Sequence, residues 1–500
     1  MLPLLTSKQI READAYTIAH EPISSVDLME RAAKAFTERF VHYFPDKTKP
    51  ISIYCGTGNN GGDGLAIARM LNDRWYKINV KIARFSDRSS DDFETNLKRL
   101  KETAIPVLAI GPGEDLPAEN NDILIDALLG TGLNKPLDGD FKKLVNHINC
   151  LNKTVVSVDV PTGLFTEGEM PAGAVVLQAD LVITFQAPKI NFLLPDTGKY
   201  IKRWEAVDIG IDEDFRNSLG PPYQLTEQKD ISAMLKPRRH FSNKGTYGHA
   251  LIVAGKAETM GAALLSSAGC AYSGTGLTTA CVPASGLTAL NSYLPEVMAL
   301  VRGGPELPDI EWNKFDTVGI GPGLGKDEEA VDLLTDVLTN YKKPMVIDAD
   351  GLNLLAVHKE LLRSIPENSV LTPHVKEFDR LFGEHTNWWQ RMQTGLEKAK
   401  QHQIFILLKN DYTLIISPVG KIHFNTTSNP AMAVGGMGDV LTGIITSLLA
   451  QKYSPSEACI IGAFIHGRAG DELALPYQMN AVLPGQLVQH LPIVMAKLMA

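Results

Sequence analysis

Residues 51–71 read ISIYCGTGNNGGDGLAIARML. The first five are apolar or β-prone and predict a short buried strand, and the last run has helical spacing. Between them, positions 56–64 hold five glycines. Glycine at that density serves a backbone that takes positive φ or lets another molecule approach closely. Strand, glycine turn and helix together form the unit from which open parallel sheets build a ligand site, at the strand's carboxyl end and the helix N-terminus.

The same rhythm extends outward. ISIYC, INVKIARF, IPVLAI, DILIDALLG, TVVSVDV and DLVITFQ are strand-like, with GLAIARMLNDRW, DDFETNLKRLKE and DFKKLVNHI as helices between them. Near-continuous apolar strands separated by helices predict a parallel sheet buried on both faces. TSKQIREADAYTIAH and SSVDLMERAAKAFTERF predict two preceding helices, capped by Thr6 or Ser7 and by Ser24 or Ser25. The rhythm breaks in the polar stretch DIGIDEDFRNSLGPPYQLTEQKD, which carries Pro221-Pro222 and no strand signal. A second series follows: HALIVAG, LTTACV, FDTVGIG, KPMVIDAD, SVLTPH, IFILLK, YTLIIS and KIHFNT. The expectation is an α/β protein with two tandem doubly wound domains, 1–217 and 227–500, joined by a linker at 218–226.

Composition narrows the class. A chain of 500 residues suggests two to four domains at roughly 150 residues each. With 44% hydrophobic and 21% charged residues it is ordinary globular protein. Its net charge of −9, without a long basic run, argues against a nucleic-acid partner. No uncharged apolar run reaches the ~18–20 residues of a membrane helix. The opening MLPLLTSKQIREADAY lacks the basic and apolar regions of a signal peptide. Five scattered cysteines without a CxxC pair fit a reducing compartment, so a cytoplasmic location is expected.

Gly56, Gly58 and Gly61 match G-x-G-x-x-G, but the bare pattern is weak, and no Lys-Ser or Lys-Thr follows to make a phosphate loop of the Walker type. The polar insert is more informative. Asn59, Asn60 and Asp63 at a strand end suit a hard cation, or amide and hydroxyl groups, better than a pyrophosphate. The plainer alternative is a tight turn in which Asp63 caps the helix. Two later strand ends carry similar chemistry: Asp126 before Gly130-Thr131-Gly132, and Asp159 before Pro161, Thr162 and Gly163. Carboxyl ends of parallel strands converge, so Asn60, Asp126, Asp159 and Thr162 are expected in one pocket.

GNNGGDGLAIAR, DALLGTGL and VDVPTGL, preceded by LMERAA, resemble the NAD(P)H-hydrate epimerase domain, a Rossmann-like fold. The resemblance implies that the glycine loop holds a hydrated nicotinamide nucleotide, NADHX or NADPHX, beside a potassium ion (K+). Substrate contact is implied for Asn59, Asn60, Gly61, Gly62 and Asp63, for Gly130, Thr131, Gly132, Leu133, Asn134, Lys135 and Pro136, and for Asp159. Potassium is implied at Asn60, Asp126 and Thr162, with Asp159 as the proton-handling group.

Near the C-terminus, NPAMAVGGMGDVLTGIITSLLAQ places Gly435, Gly436 and Gly438 before Asp439 and a long apolar helix. A helix N-terminus offers free N–H donors to phosphate, and an aspartate there can deprotonate a hydroxyl that attacks a phosphoryl group. The pattern resembles the ribokinase-like fold. With SNKGTYGHALIVAGKAETMGAA, GIGPGLG and LTPHVKEFDRL it resembles the ADP-dependent NAD(P)H-hydrate dehydratase. That resemblance implies hydrated nucleotide against Ala262, Gly323, His374 and Asp439, and ADP against Lys409, Asn410, Asp411, Tyr412, Thr413 and Gly438. Asp348, Asp350 and Asn353 in VIDADGLNLL fit a polar rim for magnesium (Mg2+). Ala431 in NPAMA stands where the family pattern has a glycine.

The implied activity is two-step repair of damaged cofactor, with epimerisation of R and S hydrates and ADP-driven dehydration of the S form. The partners are small molecules, with no nucleic acid and no membrane, and a homo-oligomer is expected. Two rivals predict different behaviour. A ribokinase-like kinase with a non-catalytic N-terminal domain would release a stable phosphorylated product, and a dehydrogenase using Gly56, Gly58 and Gly61 would need no ADP.

Overall fold

The computed structural model describes residues 1–303 and 310–500. The chain divides into two compact units, Pro3–Pro221 and Pro222–Ala500, with Met1–Leu2 grouped with the second. The strand Leu2–Leu4 (β1) is an outer strand of the second unit's sheet.

In the first unit ISIYC forms β2 (Ile51–Cys55), buried along its whole length. It is followed by β3 (Ile78–Ala83), β4 (Val107–Ile110), β5 (Ile123–Ala127), β6 (Thr154–Val158), β7 (Leu181–Phe185) and β8 (Trp204–Val207). The sheet order is β4-β3-β2-β5-β6-β7-β8, and every pair is parallel. Strand order reverses between β2 and β5, where Cys55 and Ala127 are register partners. Open α/β sheets take ligands beyond the carboxyl ends at such a reversal. Thr6 caps the helix Ser7–His20 and Ser24 caps Ser25–Tyr43 through side-chain oxygens. Leu28, Ala32, Phe36 and Phe40 recur at helical spacing, so Ser25–Tyr43 buries one stripe.

The second unit's strands are β9 (Tyr223–Leu225), β10 (His249–Val253), β11 (Leu277–Pro283), β12 (Met298–Arg302), β13 (Thr317–Ile320), β14 (Val346–Ile347), β15 (Val370–Leu371), β16 (Phe405–Leu408), β17 (Leu414–Ile416) and β18 (Ile422–Phe424). The order is β1-β9-β18-β17-β16-β15-β14-β13-β10-β11-β12, reversing between β10 and β13. β16 through β18 form an antiparallel meander, and the run from β12 to β16 is parallel.

The helix Met437–Ala450 is buried at every residue except Gly438 and Asp439, as an element that is apolar on all sides must be. It lies hard against the helix Met260–Tyr272. A Cβ on Gly443 would stand 2.0 Å from the Ser266 carbonyl oxygen, so only glycine permits this approach.

The structure differs from expectation between the units. The stretch read as an unstructured linker contains β9, whose Tyr223 and Leu225 pair in parallel with Ile422 and Phe424. Three residues are too few for a readable period, and their partners lie about two hundred positions away. The edge strands β8 and β12 were equally illegible, β8 being half-buried throughout and β12 ranging from exposed to buried. Among the described residues no helix is long and apolar enough to cross a membrane.

Candidate functional site

The first unit's glycine turn opens the helix Asn59–Asn72, whose N-cap is Gly58 without a side-chain cap, so Asp63 does not serve as one. A Cβ on Gly61 would lie 2.0 Å from the Gly56 carbonyl oxygen, which explains the glycine there. Gly58, Asn59, Asn60 and Asp63 line a cavity of about 670 Å³ together with Gly130, Thr131, Gly132, Leu133 and Asp159. Gly61, Gly62, Asn134, Lys135 and Pro136 are not part of that lining.

Asp126 and Thr162 are buried apart from the lining and bonded to each other. Asp126 Oδ1 accepts from Thr162 Oγ1 at 2.6 Å and from the Leu128 amide at 3.2 Å. Its Oδ2 accepts from Thr162 N and Ser157 Oγ, both at 2.9 Å. Burial raises this carboxyl's pKa, partly offset by the Thr162 and Ser157 hydrogen bonds. No basic side chain pairs with it among the described residues. The Asn60 carboxamide lies 3.1 Å from where a Gly130 Cβ would stand, and its Nδ2 is buried without a hydrogen-bond partner.

Asp159 sits at φ +64°, in the left-handed region, directly after β6. Its Oδ1 accepts from Thr184 Oγ1 and the Phe185 amide, both at 2.9 Å, and pairs with Lys189 Nζ at 2.7 Å. Asp63 is held well above the ordinary carboxylate range by burial and then by Asp159 and Asp14. Asp14 is pushed up to about 6, first by burial and then by Asp159. The sequence reading missed Asp14 and Lys189. Lys189 follows β7, a further strand end on the same rim, and was in principle findable. Asp14 comes from a distant helix and carried no signal.

In the second unit, Gly436 takes φ +94° as N-cap of the helix Met437–Ala450, again with no side-chain cap. That puts Asp439 in the first turn. Its carboxyl is raised to about 7 by burial and then by Asp348, while Lys409 opposes the rise. Lys409 Nζ bonds Asp348 Oδ1 at 3.0 Å, and Thr442 Oγ1 donates to Asp348 Oδ2 at 2.7 Å. A Cβ on Gly438 would lie 3.3 Å from Lys409 Nζ. Asp348, Lys409, Gly438, Asp439 and Thr442 therefore form one cluster where β14 and β16 end.

His374 lies beside Lys409 in an isolated parallel bridge and caps the helix Val375–Phe382. Its Nδ1 accepts from the Lys376 and Glu377 amides at 3.0 and 3.2 Å. Burial, then Lys409, holds its pKa below the usual value, which favours the neutral ring. Ala262 and Gly323 adjoin each other, since a Cβ on Gly323 would stand 2.9 Å from the Ala262 Cβ. Asp350 ties that side in by accepting from the Gly325 amide at 3.0 Å. In the hairpin loop after β16, the Tyr412 amide donates to Asn410 Oδ1 at 2.6 Å, and Asn410 Nδ2 is buried without a partner.

The rim at Asp348, Asp350 and Asn353 is less suited to magnesium than expected. Both Asp348 oxygens are occupied by Lys409 and Thr442, and Asp350 is held by Gly325 and Asn353. Among the described residues no group of three His, Cys, Asp or Glu could hold a metal.

Two family models match this chain. One, described as YjeF-related protein N-terminus, covers residues 25–191, and the other, NAD(P)H-hydrate dehydratase, covers 250–493. The bifunctional NAD(P)H-hydrate repair enzyme of Moorella thermoacetica is 33% identical over 99% of this chain and 97% of its own. This chain belongs to the bifunctional NAD(P)H-hydrate repair enzymes. The Coxiella burnetii member is 32% identical over 98% of this chain and 99% of its own, and the Escherichia coli member is 31% identical over 93% and 88%. A ribokinase-like superfamily protein of Enterococcus faecalis matches with 30% identity and a TM-score of 0.50, over 55% of this chain and 96% of its own.

As a repair enzyme of this family, the chain combines epimerisation of hydrated NAD(P)H with its dehydration. The fold is the expected one, two tandem α/β units, the second ribokinase-like.

Proposed function

We propose that the first unit is the epimerase and the second the ADP-dependent dehydratase, with the cavity at Asn59–Asp63 and the cluster around Asp439 as their active sites. The observation that carries the reading is Asp439, a half-buried carboxyl with its pKa raised to about 7 in the first turn of an apolar helix. A base works best with a pKa near the working pH, and the surrounding N–H groups favour phosphate.

Asp439 takes the proton from the hydroxyl of the hydrated ring as that oxygen attacks the terminal phosphorus of ADP, and AMP leaves. The C–O bond to the ring phosphate then breaks with its electron pair leaving on phosphate, and the adjacent carbon gives its proton to solvent, which restores the double bond and gives NAD(P)H and phosphate. His374 and the Ala262–Gly323 side hold the hydrated nucleotide, and Lys409 through Thr413 with Gly438 hold ADP. Among the described residues no group of three His, Cys, Asp or Glu stands ready for magnesium, so the ion would come with the diphosphate of ADP and would supply charge neutralisation there.

In the first unit Asp159 handles the proton. Its Oδ1 is occupied by Thr184, Phe185 and Lys189, which leaves Oδ2 for substrate. The Asp126 carboxylate is buried without a basic partner among the described residues, and its oxygens would hold potassium with those of Asn60 and Thr162 once the ion replaces the Thr162 and Ser157 hydrogen bonds. Bound there, the ion would offset the Asp126 charge and anchor substrate oxygens. The enzyme works in the cytoplasm, where four buried thiols and Cys150 remain free.

The test is product analysis with purified S hydrate and ADP. One AMP and one phosphate should appear per reduced nucleotide formed. Accumulation of a stable phosphorylated dinucleotide would replace this reading with that of a small-molecule kinase.

A further inference from the structure

The cavity of the first unit has lining residues that the epimerase reading leaves unused. Part of its wall is apolar, built from Leu5, Ile10, Ile209 and Ile211. Arg216 lines the same cavity from the short helix Glu213–Ser218. Its side chain is only 6% exposed, and both Nε and one terminal nitrogen are buried without a hydrogen-bond partner. The remaining nitrogen reaches Glu213 at 3.9 Å, and that carboxylate is 76% exposed. A contact of that length to a solvated carboxylate does little to compensate a buried guanidinium.

Buried charge is ordinarily paired and hydrogen-bonded, because leaving it bare is unfavourable. A guanidinium presents planar, paired donors suited to a phosphate, and apolar walls strengthen the attraction. The hydrated dinucleotide carries a diphosphate bridge, and NADPHX carries a ribose phosphate as well. We propose that Arg216 is a binding residue of the epimerase cavity and takes a phosphate group of the hydrated dinucleotide. The proposal rests on the first unit's being the epimerase. It places the hydrated ring at Asn60 and Asp159 and a phosphate at Arg216, all lining the one cavity.

The test uses the full chain carrying Arg216→Met, which keeps the volume and removes the charge, and Arg216→Lys, which keeps the charge and loses the paired donors. KM for the R hydrate should rise about ten- to a hundred-fold in the Met variant and less in the Lys variant. Consumption of the S hydrate by the second unit is the internal control and should be unchanged. A rise for NADHX and NADPHX alike assigns the diphosphate, and a rise for NADPHX alone assigns the ribose phosphate. Without ligand, the Met variant should melt no lower than the parent, because an unpaired buried charge has been removed. An unchanged KM for the R hydrate overturns the proposal. So does a lowered ligand-free melting temperature with KM unaltered, the mark of a purely structural arginine. A parent chain that leaves the R hydrate untouched overturns the epimerase reading itself, and the proposal with it.

Discussion

Lys409 Nζ lies 3.0 Å from Asp348 Oδ1, a pairing between the ends of two strands that holds a cation beside the half-buried Asp439 carboxyl. Lys409 works against the two forces that most raise Asp439, burial and the charge of Asp348. How strongly Asp439 holds its proton therefore depends on two opposed charges, Lys409 and Asp348, that lie 61 positions apart in sequence.

Replacing that cation should show in a pH profile. In Lys409→Met the acid limb of S-hydrate dehydration should move to higher pH by about one unit, because the opposing positive charge is gone. KM for ADP should rise in the same variant. The measurement is kcat/KM between pH 5.5 and 9, and an unmoved limb would separate Lys409 from the titration of Asp439.

Asp439→Asn should lower the rate of S-hydrate dehydration by about 10²- to 10⁴-fold, the range of a lost general base. In the parent enzyme activity should climb through about pH 7 and level off above it, since only the ionised carboxylate accepts the proton. Stopped-flow absorbance with purified S hydrate checks both. Consumption of the R form to an epimeric mixture should persist in this variant, because the first unit is untouched.

The same carboxyl makes a prediction about stability. Its pKa in the folded chain, about 7, lies above the ordinary 3.8, so the folded state holds the proton more tightly. Its stabilising contribution is complete below about pH 4 and disappears as the pH rises to 7. Asp439→Asn lacks that slope, so at pH 8 the second unit should gain about 1–2 kcal/mol, or roughly 2–6 °C. At pH 5 the gain should shrink, because the parent carboxyl is then protonated. Calorimetry at the two pH values tests the difference, and an equal shift at both would contradict it.

Potassium response isolates the first unit. Asp126→Asn removes the buried carboxylate that lacks a basic partner, and Thr162→Val removes its closest donor, at 2.6 Å. Either change should abolish activation of R-hydrate consumption by potassium over sodium while leaving S-hydrate dehydration intact. Activation that survives in both variants would remove these residues from any ion site.

Much of this architecture was legible because the sheets are parallel and buried. Strands such as ISIYC and TVVSV are continuous apolar runs, and the glycine turn at 56–64 follows its strand directly. Asp126, Asp159 and Asp439 stood out because each ends or follows a strand, or opens a helix, close to glycine. The illegible features depend on distant pairing. β9 has three residues and takes its register from Ile422–Phe424. Asp14 and Arg216 reach the first cavity from helices about two hundred residues apart, so neither has a local pattern that marks it. The magnesium rim shows the opposite failing. Asp348 and Asp350 look like ligands in sequence, yet their oxygens are engaged by Lys409, Thr442 and Gly325.

The most direct test follows the return of reduced-nicotinamide absorbance from a mixture of R and S NADPH hydrates, with ADP, magnesium and potassium, against a control without ADP. Recovery should depend on ADP and continue past the S fraction to the full amount, with Asp159→Asn stopping at the S fraction. Recovery by Asp159→Asn equal to that of the parent would contradict epimerisation at the first cavity. No recovery with either ADP or ATP would contradict repair by this chain altogether.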